Sequence, residues 1–395
     1  MRKLSCDFKE KFHNEFKGII DYVKNNKDVF LEIRNNAINL YVAGGSMFKI
    51  KYNSKENQYI GSIEENYFKI CQEKRPKILD EINNKPILDI NDWISIFDKL
   101  KAVVTGYQNK ELLGGEKKKR EKILQQKLVY EFNTKQDANY FAYDMEYNLE
   151  GANDYVLDAN KNPIVEKETK TPGRSDIMLI NKPINNKITI YFMEVKEGIG
   201  SFSGVSQKNQ SFGSGIVGHI KNYMPLLSLA KNNKHYKSMY RADKNHDNST
   251  IDIRKTLLCE VKNIMSFYQE FDLIENNNFK NIDNENIGYL CYSTYDSLEL
   301  NSKEEGIELV FFLGNYKSGE KVGSFENHLG IRGGNAKYSV KKLLDNNMRN
   351  ELNLDYVSQD EMFDFRFLKT EKNCDDEDFN LEIDTYGVIK KDEFK

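Results

Sequence analysis

Residues 188–196 read ITIYFMEVK, an apolar run that ends on Glu194, Val195 and Lys196. Isoleucine, threonine, valine, tyrosine and phenylalanine crowded into so short a run predict a buried strand. Side chains two apart on a strand project from the same face, so Glu194 and Lys196 are expected to share one site. Residues 173–180, GRSDIMLI, predict the preceding strand, and Asp176 on it lies 18 residues before Glu194. That is enough chain for a loop that brings the two carboxylates together at one end of a sheet. Further upstream, YFAYDMEYNL (140–149) predicts another strand, and a helix is expected over 116–132.

Beyond Lys196 comes a Gly- and Ser-rich stretch, GIGSFSGVSQKNQSFGSG (198–215). A helix is expected from Ile216, kinked or restarted at Pro225. Leu257, Val261, Ile264, Phe267, Tyr268 and Phe271 then form the apolar stripe of a helix over 253–273. IGYLCYS (287–293) and IELVFFLG (307–314) supply two more strands. Helix, three strands, helices and strands in that order fit an α/β sandwich around one mixed sheet.

The N-terminal part reads as a smaller α+β unit. Phe8, Phe12, Phe16, Ile19, Ile20 and Val23 predict one amphipathic helix, and VFLEIR and AINLYVA flank Asn35 and Asn36 as a hairpin. Gly44 and Gly45 lead into MFKIKY, where Phe48, Ile50 and Tyr52 alternate. Asp92 is expected to cap a helix carrying Trp93, Ile96, Phe97, Leu100, Val103 and Val104. Three parts are expected: an α+β domain over 1–112, a larger α/β domain over 113–350, and an acidic tail over 351–395 in which the CDDED centre and the terminus are disordered.

At 395 residues, with 30% charged and 12% aromatic side chains, the chain is globular and large enough for more than one core. The formal charge is -3, but residues 351–395 hold 14 acidic against 6 basic side chains, which leaves the remainder positive. A nucleic-acid surface must then be a local patch. The five cysteines are scattered and include no CxxC pair, so reduced thiols in or near cores are expected. No apolar run is long enough to cross a bilayer, which points to a cytoplasmic protein with no membrane partner.

Two convergent carboxylates make chemical sense around a hard dication, which takes carboxylates, waters and phosphate oxygens. A lysine beside them can orient a water and offset charge developing on a phosphoryl group. With these residues in place, the sequence resembles the PD-(D/E)XK nuclease superfamily. GRSDIMLI supplies the first acid, Asp176, and FMEVK supplies the (D/E)XK half, although no proline directly precedes Asp176. The resemblance implies a restriction-endonuclease-like α/β/α core with a mixed sheet. It also implies Mg2+, with Mn2+ substituting, held by Asp176, Glu194 and Val195, and Lys196 placing the nucleophile.

The family's further acid on the preceding helix corresponds to Glu121 or Glu131, which flank Leu128 on a helical wheel. Glu146 is a rival, because DMEY sets Asp144 and Glu146 on one strand face. The family's Gln/Tyr pair corresponds to His219 and Tyr223, with histidine in place of glutamine. Arg174 and the run Lys117, Lys118, Lys119, Arg120 are candidates for phosphate contact, with a solvated ion pair and a solvated helix face as the alternatives. Amides near 214–216 are a further candidate for phosphate. The glycine-rich stretch has no GxxxxGK[ST] pattern, which excludes a P-loop, and reads as a substrate-flanking loop or a plain linker.

The resulting expectation is a phosphodiesterase, endonuclease or exonuclease, with DNA favoured over RNA, in restriction, repair or anti-phage defence. The alternatives are an RNA nuclease and a catalytically silent nuclease-fold module that binds nucleic acid or protein. A homodimer would suit double-strand cuts, and the N-terminal domain would receive substrate or a regulatory partner.

Overall fold

The computed structural model describes residues 2, 4–109, 120–147, 155–157, 163–165, 175–197, 235–237, 250–280, 298–301, 306–314, 365–369 and 384–389. The chain is mixed α/β, with an antiparallel sheet and a mixed sheet. It groups into two compact units, Met1–Met145 with Cys259–Leu298, and Glu146–Leu258 with Glu299–Lys395. The expected boundary at 112 falls inside the first unit and the one at 350 inside the second.

In the first unit, helices α1 (Cys6–His13) and α2 (Lys17–Asn25) replace the single expected helix, because the chain breaks at Asn14. Phe8, Phe12, Phe16, Ile19 and Ile20 are nevertheless all buried. Strands β1 (Val29–Arg34), β2 (Ala37–Val42), β3 (Gly45–Asn53), β4 (Gln58–Ser62) and β5 (Lys85–Pro86) form an antiparallel meander in that order. The first three match the expected strands, and β4 and β5 extend them. The β2–β3 turn places Ala43 and Gly44 at φ 49° and 74°, the left-handed pair that a two-residue hairpin needs. A side chain at Gly44 would also fall on the main-chain carbonyl of Lys122.

Register puts Leu31, Leu40 and Phe48 on one face of the meander, since Leu31 pairs with Leu40 and Leu40 with Phe48. Helices α3 (Asn66–Cys71) and α4 (Leu79–Ile82) lead to α5 (Ile90–Ile94) and α6 (Phe97–Asn109). Phe48 meets Trp93 and Phe97 at ring separations of 4.6 and 5.0 Å, so α5 and α6 cover this face. Gly61 on β4 admits the Trp93 ring, since a Cβ there would lie 2.6 Å from it. The cap of α5 is Asp89, which accepts from the Asn91 amide at 2.9 Å, and not Asp92, which sits one turn inside. Asp89 precedes an apolar residue as Asp92 does, and only the first has extended backbone.

Helix α7 (Arg120–Thr134) packs on β1 and α6, so it belongs with the meander. It is followed by β6 (Tyr140–Tyr147), within which the unit boundary falls. Helix α8 (Ile253–Glu270) has the expected stripe, and from Cys259 onward it lies in the first unit with α9 (Asn277–Lys280). Phe267 on α8 meets Phe12 at 5.5 Å.

This unit buries a group of charges. Arg34 donates to Asp144 at 2.7 Å, to the Met145 carbonyl at 2.6 Å, and to Glu32. Glu32 also accepts from the Met145 amide at 2.7 Å. Arg2 pairs with Asp144, and its amide donates to Glu260 at 2.9 Å. Burial pushes the Glu32 carboxyl up to about 8, against the opposing pull of Arg34. Burial acts to lower the Arg34 guanidinium, but Asp144 and Glu32 hold it above its ordinary value.

The second unit contains β7 (Tyr155–Leu157) paired with β8 (Pro163–Val165), then β9 (Ser175–Asn181), β10 (Lys187–Ile188) and β11 (Ile190–Glu197). Later strands are β12 (His235–Lys237), β13 (Thr250–Asp252), β14 (Glu299–Leu300), β15 (Ile307–Gly314), β16 (Phe365–Lys369) and β17 (Asp384–Ile389). The larger sheet runs β17-β16-β15-β11-β9 through this unit. Strands β11, β15 and β16 are parallel, while β9 and β17 run antiparallel to their neighbours.

Ile177, Met178, Leu179 and Ile180 are buried without alternation, as are Ile190, Tyr191, Phe192 and Met193, which marks strands covered on both faces. The expected acidic tail therefore contributes β16 and β17 to this sheet. Its CDDED centre lies outside the described residues, as do the stretches where a helix from Ile216, a kink at Pro225 and a strand at 287–293 are expected. Among the described cysteines, Cys6 is exposed, contrary to the core expectation, and Cys71 and Cys259 are half-buried.

Candidate functional site

The site is built at one end of the β9–β11 pair. Asn185 and Asn186 take φ values of 51° and 60° and turn the chain from β9 toward β11, with Ile184 and Lys187 bridged across them. From this turn the register runs Ile180 opposite Ile190 to Ile177 opposite Met193. Asp176 and Glu194 are the next residues along the two strands. There the regular ladder gives way to side chains. The Val195 amide donates to Asp176 Oδ2 at 2.8 Å, and the Ser175 hydroxyl donates to the carbonyls of Ile177 and Met193 at 3.0 and 3.3 Å. Ser175 and Asp176 thus fix the two strand ends to each other.

Lys196 is the hub of the cluster. Its Nζ lies 3.7 Å from Glu194 Oε2 and 3.9 Å from Asp176 Oδ2, and it donates to the Val195 carbonyl at 3.0 Å. Glu194 is fully buried, Lys196 nearly so, and the Asp176 side chain retains 12% exposure. Solvent therefore reaches the cluster from the Asp176 side. The neighbouring strand sets apolar Phe311 opposite Glu194 and Leu313 opposite Lys196.

The oxygens gathered here are two carboxylates and one main-chain carbonyl, all hard donors of the kind magnesium or manganese takes. The formal charges of Asp176, Glu194 and Lys196 sum to one negative, which a dication plus a phosphodiester would neutralise. By donor type and charge the residues present fit the metal. Asp176 and Glu194 would hold it through carboxylate oxygens, and Val195 could join only through its carbonyl.

The structure brings together Asp176, Glu194, Val195 and Lys196, as the sequence predicts. Among the described residues no group of three His, Cys, Asp or Glu side chains is placed to hold a metal ion. Glu121 and Glu131 lie half-exposed on α7, and the polar residues which that helix buries are Gln125 and Gln126. The expected inward glutamates are thus replaced by neutral amides, whose burial costs less. Asp144 is committed to the Arg2 and Arg34 pairs. Glu146 adopts φ 51°, which breaks the strand alternation that would set it beside Asp144.

Arg174, His219, Tyr223, Lys117, Lys118, Lys119 and the stretch 214–216 lie outside the described residues. Sequence reasoning missed Ser175, for which adjacency to Asp176 was the only signal. Among the described residues no helix is long and apolar enough to cross a membrane. Compared with models of protein families, with characterised proteins and with solved structures, the chain has no significant match.

Proposed function

We propose that this chain is a metal-dependent nuclease, with Asp176, Glu194 and Lys196 as its catalytic centre on a restriction-endonuclease-like core. The observation that carries the reading is the convergence of two carboxylates on one buried lysine at the end of an otherwise apolar strand pair. Burying such a group costs free energy even when the charges are paired, and desolvated charges cluster at functional sites. Magnesium, when bound, would polarise the scissile phosphate and make a bound water more acidic.

The chain's own groups do the rest. Asp176 and Glu194 provide the negative pole that attracts the dication. The Val195 amide holds Asp176 in place, and the Ser175 hydroxyl ties its strand to the Met193 carbonyl. Lys196, held by the Val195 carbonyl, orients the attacking water and offsets the charge that builds on the phosphoryl oxygens. DNA is favoured over RNA as the substrate, and the cytoplasm is the favoured compartment.

The test is cleavage of supercoiled plasmid, linear duplex, single-stranded DNA and RNA by the wild type and Asp176→Asn, in magnesium, manganese or EDTA. Cleavage of DNA that requires metal and vanishes in Asp176→Asn is the expected result. Cleavage of RNA alone would assign an RNA nuclease. Intact substrates throughout would overturn the reading in favour of a silent docking module, which the absence of a third gathered acid among the described residues favours.

A further inference from the structure

One face of the meander is covered by α5 and α6, and the alternation along its strands puts the intervening residues on the other face. Register fixes two rows of that second face. Glu32 on β1 stands opposite Asn39 on β2, Asn39 opposite Lys49 on β3, and Lys49 opposite Ser62 on β4. In the next row Arg34 stands opposite Ala37, Ala37 opposite Lys51, and Lys51 opposite Ile60. At the β3–β4 end of these rows Lys51 is exposed, and Lys49, Ile60 and Ser62 are half-buried.

Lys24, Lys27, Lys99 and Lys101 elsewhere in this unit each lie against a carboxylate. Lys49 and Lys51 form no ion pair among the described residues. Burial, Lys51 and Arg34 together hold the Lys49 ammonium below its ordinary value, with no carboxylate among the described residues offsetting them. Glu32, in the same row, is taken up by Arg34 and the Met145 amide, and Glu56 in the β3–β4 turn bonds to Gln58. Asn39, between Glu32 and Lys49, is more than nine-tenths buried; it donates to the Tyr41 hydroxyl at 3.2 Å and keeps its amide oxygen without a hydrogen bond. Like charges on one face of a sheet repel, and a buried polar atom without a partner is costly. An anion over Lys49 and Lys51 would relieve the repulsion. With the Asn39 amide turned over, its nitrogen would donate to that anion and its oxygen accept from Tyr41.

We propose that this face of the meander carries the phosphate backbone of a nucleic-acid strand across Lys49 and Lys51. The two lysines stand two residues apart on one sheet face, which suits successive phosphates better than a single small anion. A lysine is a point charge with no fixed direction, and the two rows hold no aromatic side chain on which a base could stack. The contact therefore positions a strand without reading its sequence. The choice of nucleic acid among polyanions rests on the nuclease reading, whereas the unpaired lysines stand without it.

The test is fluorescence anisotropy of labelled single-stranded and duplex DNA with the full-length protein in EDTA, over a series of salt concentrations. Lys49→Gln with Lys51→Gln is expected to weaken binding at least about tenfold, and to reduce the slope of log affinity against log salt by about 1.4 on a single strand or about 1.8 on a duplex. Because it removes a repulsion, the same variant should melt no lower than the wild type. Lys99→Gln with Lys101→Gln, which removes lysines already matched to Glu73 and Asp28, should bind as the wild type does. The proposal is overturned if the wild type binds neither DNA, if the Lys49 and Lys51 variant keeps the wild-type affinity and slope or melts lower, or if the Lys99 and Lys101 variant loses as much. Inorganic polyphosphate bound through the two lysines in place of DNA would also overturn it and give the face to another polyanion. Magnesium separates the two readings. Failure of the nuclease reading leaves DNA held through Lys49 and Lys51 but uncut, and failure of this proposal leaves DNA cut equally well without the two lysines.

Discussion

Each unit of this molecule buries a cluster of acidic and basic side chains, and the two clusters are built on different plans. In the first unit Arg34 spans Glu32 and Asp144 and also reaches the Met145 carbonyl, with hydrogen bonds of 2.6 and 2.7 Å among these contacts. In the second unit Lys196 stands 3.7 and 3.9 Å from its two carboxylates, distances of ion pairing and not of hydrogen bonding. An arginine fork fixes its partners in direction as well as distance, whereas a lysine is a point charge on a flexible stem. The first plan closes a network and ties β1 to β6. The second holds its lysine to the carboxylates by charge, without a directed hydrogen bond between them. Residue types alone do not separate the two clusters; the identity of the cation and its spacing do.

The sharpest way to break this contrast is to remove each cation. Lys196→Ala is expected to reduce metal-dependent cleavage by about 10²- to 10³-fold, measured as initial rates on plasmid. Arg34→Met should leave the cleavage chemistry in place yet destabilise the first unit by about 3–5 kcal/mol, because it takes the shared cation from Glu32 and leaves Asp144 with Arg2 alone; urea unfolding reads this directly. A loss smaller than about 1 kcal/mol would mean that the arginine network is not the closure described.

A pH series sharpens the same point. Burial raises Glu32 to about 8 in the folded chain, well above its value when unfolded. The folded state therefore holds a proton that the unfolded state releases. This contribution is fully present below the ordinary glutamate range and is lost as pH rises through about 8. The first unit should lose stability across that window, and Glu32→Gln should flatten the slope. An equally steep slope in Glu32→Gln would assign the titration elsewhere. The smallest expected effect is at Ser175. Ser175→Ala should cost about 1 kcal/mol while lowering cleavage through looser spacing of Asp176 and Glu194, an effect visible in kcat more than KM.

Much of this contrast was legible in the sequence on one side only. MEVK on an apolar run, with SDIMLI upstream, places Glu194, Lys196 and Asp176 together through strand periodicity and a hairpin, both local rules. The arginine network was illegible, because Arg2, Glu32, Arg34, Asp144 and Glu260 are separated by up to 258 residues and no local period links them. The single helix expected over 8–23 failed at Asn14, where the apolar stripe continues although the backbone does not. The third acid was sought on α7 by helical wheel, but a wheel shows only angles around an axis. The polar residues that helix buries are Gln125 and Gln126.

The most direct test of the two plans is a pair of isosteric changes assayed side by side, Glu32→Gln and Glu194→Gln, each measured for thermal unfolding and for magnesium-dependent plasmid cleavage. The account predicts that Glu194→Gln abolishes cleavage and leaves the melting temperature unchanged or higher, and that Glu32→Gln changes stability and its pH dependence while cleavage persists. Cleavage that survives in Glu194→Gln, with a loss of stability in its place, would contradict it and make the second cluster structural as well.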